Sequence, residues 1–223
     1  MSDELSIELA GEPVRLYAER ALFWPRAGTL IVADLHLGKA DHFRRAGIAL
    51  PRGGTTLDLE RLDALIERSG AKRLLVLGDL VHGALPDAPW RAAWVEWRRR
   101  HAGLRVELVA GNHDRRLRRD LAVLDAMALG LHEDSLAEAP FVFAHEERDV
   151  VAGCAGYVLS GHLHPVVRLP GLPRLPAFRF GRSAGVLPAF TAFAGGLAID
   201  PRGGDWVFVC APGALVEVAG ASA

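Results

Sequence analysis

The chain has 223 residues, half of them hydrophobic and 24% charged, which is ordinary for one soluble globular domain spanning 1–223. Its formal net charge of -1 gives no global basic field to advertise nucleic acid. Two distant cysteines, Cys154 and Cys210, in apolar settings exclude a disulfide scaffold and favour a reducing compartment. The acidic start Met1-Ser2-Asp3-Glu4 lacks the regions of a signal peptide, and no apolar stretch approaches a membrane span, so the expected location is the cytoplasm. Only Lys39 and Lys72 among the 26 basic residues are lysines. Arginine's planar fork suits phosphate, although a chain rich in Ala, Arg and Gly explains the bias without any function.

In chain order, 5–9 and 13–17 predict a hairpin turning at Gly11-Glu12-Pro13, and a third run, 21–24, stops at Pro25. The first strongly buried strand is 29–33, which delivers Asp34-Leu35-His36 and, past Gly38, a helical stretch ending near Gly47. After a loop at 51–54, Thr55 or Thr56 can cap a helix whose Leu59, Leu62, Leu65 and Ile66 recur at helical spacing. A second buried strand, 73–77, is closed by Gly78-Asp79-Leu80-Val81-His82. Asp87 as N-cap and Pro89 open the next helix, which runs to about His101. An apolar run at 104–110 ends in Gly111-Asn112-His113-Asp114, and 115–130 reads as helix. Strands alternating with helices up to here predict a parallel sheet.

Beyond residue 130 the pattern turns to strands, at 135–138, 141–144, 156–160, 166–169, 178–180, 206–210 and 215–218. Pro and Gly between them predict turns and antiparallel pairing. The fold class that fits is α/β, with two packed mixed β-sheets flanked by helices.

His36, His82, His113, His145, His162 and His164 all lie at the ends of apolar strands. One such histidine is ordinarily a satisfied core residue, and Gly-Asn-His-Asp alone reads equally well as an Asx-turn. Six histidines together with Asp34, Asp79 and Asn112 read as a convergent metal site, because ligands gather outside the carboxyl ends of strands. In Asp34-Leu-His36 and His162-Leu-His164 the candidates are two apart, which in extended backbone projects them to one side. Gly78, Gly111 and Gly161 precede the motifs and remove a side chain where the chain must turn beside the ions. Oxygen and nitrogen ligands without thiolate point to Mn, Fe or Zn rather than Ca, with Mg less suited. So many candidates suit two divalent ions rather than one. Such a pair clamps the attacking and leaving oxygens of a displacement at phosphorus, and water held between the ions is largely hydroxide near neutral pH.

Asp-x-His, Gly-Asp-x-x-His, Gly-Asn-His-Asp, a later strand-end His and Gly-His-x-His, in this order over residues 29–165, resemble the calcineurin-like metallophosphoesterase superfamily. Asp34-Leu-His-Leu-Gly38 with Gly78-Asp-Leu-Val-His82 is similar to its nuclease branch. Gly38-Lys-Ala, Phe43-Arg-Arg-Ala-Gly-Ile, Gly161-His-Leu-His-Pro165 and Leu187-Pro-Ala-Phe190 resemble the bacterial ligase-associated DNA-damage-response endonucleases, with Phe193-Ala-Gly-Gly196 departing from their Phe-Thr-Gly-Gly. The resemblance implies a Mn²⁺-dependent phosphodiesterase acting on DNA, as a single-strand endonuclease in repair, found with a helicase and a DNA ligase. It implies Asp34, His36 and His164 on one ion, Asn112, His145 and His162 on the other, and Asp79 bridging. His113 would protonate the leaving oxygen or steady the transition state, oriented by Asp114, and His82 would lie near the scissile phosphate or support the ligands from behind.

Arg115, Arg116, Arg118 and Arg119 follow the Gly-Asn-His-Asp turn and can hold flanking phosphates, as can Lys39, Arg44 and Arg45; a solvated helix face is the plainer use. Trp90, Trp94 and Trp97 form a stripe at helical spacing that reads first as core, then as a homodimer contact, and last as a base-stacking surface. The competing enzymatic function is a phosphatase, or a hydrolase of nucleotides or other small phosphodiesters, on the same metal site. A scaffold that binds without catalysis would be free to lose ligands, and none is missing.

Overall fold

Two stacked sheets, with helices on one outer side, form the computed structural model, which describes residues 2–49, 53–82, 89–114, 117, 120–151, 153–200 and 204–219. Asp87, Arg115, Arg116, Arg118 and Arg119 lie outside the described residues, as do Pro51 and Arg52. The first sheet runs β1 (Glu4–Leu9), β2 (Glu12–Tyr17), β3 (Ala21–Trp24), β4 (Thr29–Ala33), β5 (Arg73–Leu77), β6 (Arg105–Val109) and β7 (Gly130–His132), in chain order across the sheet. The strands from β1 to β4 pair antiparallel, and those from β4 to β7 pair parallel. Parallel neighbours need crossovers. α1 (Lys39–Arg45) and α2 (Gly54–Ser69) follow β4, α3 (Pro89–Arg100) follows β5, and α4 (Leu121–Met127) follows β6.

The apolar runs of β4 and β5 are buried throughout because both faces are covered. Leu30, Val32, Leu74, Val76, Val106 and Leu108 pack with Leu59, Leu62, Leu65 and the three tryptophans of the helical layer. The intervening Ile31, Ala33, Leu75, Leu77 and Val109 meet Phe141, Phe143, Leu159, Phe178 and Phe208 of the second sheet. Trp90, Trp94 and Trp97 are therefore core, and Trp94 Nε1 donates to the Met127 carbonyl at 3.0 Å.

The second sheet is ordered β14 (Leu197–Ala198), β11 (Pro165–Val167), β12 (Leu175–Phe180), β13 (Ala184–Val186), β10 (Tyr157–Ser160), β9 (Phe141–Ala144), β8 (Ser135–Glu138). β15 (Trp206–Ala211) pairs with β12, and β16 (Ala214–Ala219) with β15. The expectation of antiparallel pairing fails at three places, since β9–β10, β10–β13 and β11–β14 are parallel. The chain returns through β11 and β12 between β10 and β13, through β12 and β13 between β11 and β14, and through the segment holding a 3-10 turn at Glu147–Asp149 between β9 and β10.

Local differences have local causes. The first hairpin turns at Ala10-Gly11, both at positive φ, and Glu12 and Pro13 already pair with Leu9 and Glu8. Thr55 does not cap α2; Gly53 occupies that position, and the Thr55 hydroxyl accepts from the Gly38 N–H at 3.2 Å. Of the helix expected over 115–130, part lies outside the described residues; the described part holds α4, capped by Asp120, whose carboxylate accepts from Val123 N–H, while Gly130 begins β7.

Candidate metal centre

The register Ala33↔Leu77↔Val109 brings β4, β5 and β6 to a common edge, and Phe143↔Leu159 does the same for β9 and β10. Asp34, Asp79, Asn112, His145 and His162 follow these five ends. The loops then lock together: Asp34 N–H donates to Gly78 O at 3.2 Å, His36 N–H to Asp79 O at 2.8 Å, and Gly161 N–H to His145 O at 3.0 Å.

The glycines before the motifs act mainly by leaving space. A Cβ on Gly78 would collide with the His145 ring, one on Gly111 with the Asp79 carboxylate, and one on Gly161 would sit 2.6 Å from Asp34 Oδ2. Only Gly78 of the three also has a positive φ, 74°. Gly161→Ala is expected to push Asp34 aside and cut phosphoester hydrolysis by on the order of 10²-fold, since ångström displacements cost that much. Steady-state kinetics at saturating metal would check it; activity within threefold of wild type would contradict it.

The candidate ligands do not sit on extended backbone. Asp34 (φ 55°), His36 (48°), Asp79 (48°), His162 (64°) and His164 (47°) are all left-handed, and they make up five of the eight non-glycine residues with positive φ among the described residues. Such conformations cost about 1–3 kcal/mol each and persist where the surroundings over-determine them. This left-handed backbone, rather than a strand's alternation, turns Asp34 and His36 into one cluster.

Two groups of ligand atoms result, Asp34–His36–His164 and Asp79–His145–His162, the atoms within each lying within 4.8 Å of one another. Asp79 reaches both: Oδ1 lies 3.6 Å from His145 Nε2, and Oδ2 lies 3.9 Å from His36 Nε2. Asn112 Oδ1 is 3.0 Å from His145 Nε2, which is also 3.0 Å from His162 Nδ1. His145 Nδ1 faces the Leu77 carbonyl at 3.2 Å and His164 Nδ1 the Gly195 carbonyl at 3.0 Å. A carbonyl only accepts, so each Nδ1 carries the proton and each Nε2 turns a lone pair inward. Asp34 Oδ1, both His36 nitrogens and His164 Nε2 are buried without a hydrogen-bond partner among the described residues. Lone pairs and carboxylate oxygens crowded together without donors fit divalent cations and would be costly without them. Burial, then Lys39 and the neighbouring histidines, hold His36 far below the ordinary histidine range, so its ring is neutral and able to ligate.

The remaining candidates stand around this centre. His113 is 41% exposed at its side chain and points Nε2 toward Asp79 Oδ2 at 3.8 Å. Among the described residues the Asp114 carboxylate makes no hydrogen bond to the His113 ring, where the resemblance implied that it orients that ring. Fully buried, this carboxylate accepts from Gly111 N–H at 2.9 Å, Val81 N–H at 3.2 Å and Leu80 N–H at 3.3 Å, tying the 78–82 loop to the 111–114 loop. Burial pushes that carboxyl up to about 6 against those three donors. The His82 ring centre lies 4.8 Å from that of His113, the two planes tilted by 33°, and His82 is pushed down to about 4 by burial, then by Lys39, His113 and His42. Lys39 is lowered by burial and supported by Asp34 and Asp79, so its ammonium belongs to this region.

Two residues here escaped the sequence reading. His42 on α1 lies 5.1 Å from the His82 ring, one helical turn past Lys39. Glu146 Oε1 lies 3.3 Å from His162 Nε2, the nitrogen turned away from His145. A carboxylate behind a ligating histidine fixes its orientation and raises its basicity. Glu146→Ala is expected to weaken metal binding at the His145–His162 group by about 10–100-fold. Isothermal titration with Mn²⁺ would show one weakened site beside one unchanged; two unchanged sites would contradict the role. Glu146 also borders a recess of about 200 Å³ beside Asn112 and His145, lined by Glu133, Asp134 and Asp149 and by Arg148, which pairs with Glu146.

Comparison with known proteins places this geometry. No curated protein matches the chain. Among solved structures, a nuclease from Pseudomonas putida, MPE, superposes with a TM-score of 0.82 at 33% identity, covering 96% of this chain and 100% of that one. A protein of unknown function from Aquifex aeolicus has a TM-score of 0.42 at 15% identity, over 61% of this chain and 78% of that one. No helix among the described residues is long and apolar enough to cross a membrane. The family model described as calcineurin-like phosphoesterase matches residues 29–164, from the first buried strand through the last histidine of the centre. That is more than half the sequence, and the chain belongs to the calcineurin-like phosphoesterase family, as a metal-dependent phosphoesterase.

Proposed function

We propose that this phosphoesterase is a nuclease, a two-metal phosphodiesterase that hydrolyses DNA, with single-stranded DNA as substrate, Mn²⁺ as its metal and DNA repair as its setting. The observation that carries the reading is the full-length likeness, at 33% identity, to the Pseudomonas putida nuclease. Asp34, His36 and His164 would hold one ion, Asn112, His145 and His162 the other, with Asp79 between them. When bound, the ions supply an activated water and neutralise charge developing at phosphorus.

The rest of the chemistry falls to the chain. His113, exposed at the rim and next to Asp79, would give a proton to the departing sugar oxygen. Lys39 supplies a cation beside the centre, and neutral His82 supplies a hydrogen-bonding group there. Asp114 keeps the two loops in register.

The net charge of -1 favours a second reading, a small phosphodiester or phosphomonoester as substrate. Parallel assays with Mn²⁺, Fe²⁺ and Zn²⁺ on a single-stranded oligonucleotide, a nitrophenyl diester and a nitrophenyl monoester separate the two. Highest kcat/KM on the oligonucleotide with Mn²⁺ is expected. A monoester preferred over both diesters would overturn the nuclease.

A further inference from the structure

The stretch Leu187-Pro-Ala-Phe190 has no ligand in it, yet it is built into the centre. Leu187 N–H donates to Ser160 O and Phe190 N–H to Ala33 O, both at 2.8 Å, so the strap crosses from the second sheet to the residue before Asp34. Two arginines grip its far side. Arg20 Nη1 donates to the carbonyls of Ala189 at 3.3 Å and Thr191 at 2.8 Å. Arg61 Nη2 donates to Phe190 O at 2.8 Å, and its guanidinium lies 4.2 Å over the Phe190 ring.

Both arginines line a cavity of about 350 Å³ between the β2–β3 turn, the start of β12 and the β15–β16 turn, with Arg174 at its mouth. Its charges do not cancel. Arg61 is paired with Asp58 at 3.0 Å, and Glu19 is paired with Arg68 at 2.9 Å. Arg20 has no carboxylate within ion-pair distance among the described residues, and its Nε and Nη2 make no hydrogen bond there. Arg174 has neither an ion pair nor a hydrogen bond among them and is exposed. Cys210, in the wall, is pushed up to about 12 by burial and stays an uncharged thiol. What remains is a concave site with two guanidinium groups that make no direct ion pair among the described residues, the Asp58 carboxylate offsetting Arg20 only from a distance, and this suits an oxyanion that accepts several N–H donors.

We propose that this cavity is a phosphate-binding site separate from the metal centre, bounded by Arg20, Arg61 and Arg174. It takes either a backbone phosphate of a polynucleotide or a free phosphate group. Its link to Asp34 runs through the strap, since Arg20 and Arg61 hold the carbonyls of the segment that pairs with Ala33.

The test titrates the metal-loaded protein with inorganic phosphate by calorimetry, for wild type and for Arg174→Glu and Arg174→Gln. Arg174 holds no other group among the described residues, so its replacement should leave the fold intact, to be verified by thermal melting. Two phosphate sites are expected in wild type, with one weakened at least tenfold in Arg174→Glu and less so in Arg174→Gln. Identical isotherms in all three proteins would overturn the proposal. A labelled single-stranded oligonucleotide then identifies the source. Weaker binding by Arg174→Glu, with a salt dependence shallower by about one counterion, assigns the cavity to a polynucleotide backbone. Unchanged oligonucleotide binding beside the lost phosphate site assigns it to a free phosphate. Wild type that binds no oligonucleotide would sink the nuclease reading while the phosphate titration still decides the cavity.

Discussion

Replacing Asp79 by Ala is expected to abolish hydrolysis of every phosphoester, by on the order of 10³-fold or more, because several kcal/mol of charge stabilisation at the reacting phosphorus goes with the metal pair. Asp79 is the carboxylate whose two oxygens face the two groups, at 3.6 Å from His145 and 3.9 Å from His36. Its Oδ1 also accepts the His113 N–H at 2.9 Å, so the alanine variant loosens the neighbouring loop as well. Asp79→Asn separates the effects, since it keeps an oxygen acceptor and the side-chain shape while removing the charge. Metal analysis should find fewer than two ions per chain in both variants. Two retained ions with activity within tenfold of wild type would remove Asp79 from the bridging position.

The second large effect distinguishes substrates rather than ligands. His113→Ala is expected to keep both ions, since its ring belongs to neither ligand group. A positioned proton donor is worth about 10²–10⁴ in rate when the leaving oxygen is poor. DNA hydrolysis should fall by that factor. Hydrolysis of a nitrophenyl diester, whose leaving group departs as an anion, should fall about tenfold at most if proton donation is what His113 supplies. Equal losses on both substrates would reassign His113 to binding the phosphate. The neighbouring His82 ring, 4.8 Å away, is the group to vary next.

Much of the centre was legible because its chemistry is attached to strand ends. Asp34, Asp79, Asn112, His145 and His162 each follow an apolar run, and such runs are local signals that fix where a side chain emerges. The helix of three tryptophans and the parallel order of β4, β5 and β6 were readable for the same reason. Less legible were contacts made between distant segments. Glu146 follows His145 directly, but its meeting with His162 depends on how β9 and β10 lie side by side. Asp114 sits beside His113 in sequence yet spends its carboxylate on Leu80, Val81 and Gly111, a partnership that appears only when two loops meet. β13 and β14 have three and two residues, too short to carry a pattern. The left-handed backbone at five candidate ligands is uncommon for any residue with a Cβ, even for Asp and His, which adopt it more readily than most, so no local pattern announced it.

The activity proposed for this centre is internal cleavage of DNA with two metal ions, and a covalently closed single-stranded circle tests it most directly. Metal-depleted protein reloaded with Mn²⁺ should linearise and then fragment the circle, and Asp79→Ala under the same conditions should leave it closed. Circles that stay intact while a nitrophenyl diester is hydrolysed would contradict the claim and make this a phosphodiesterase of small molecules.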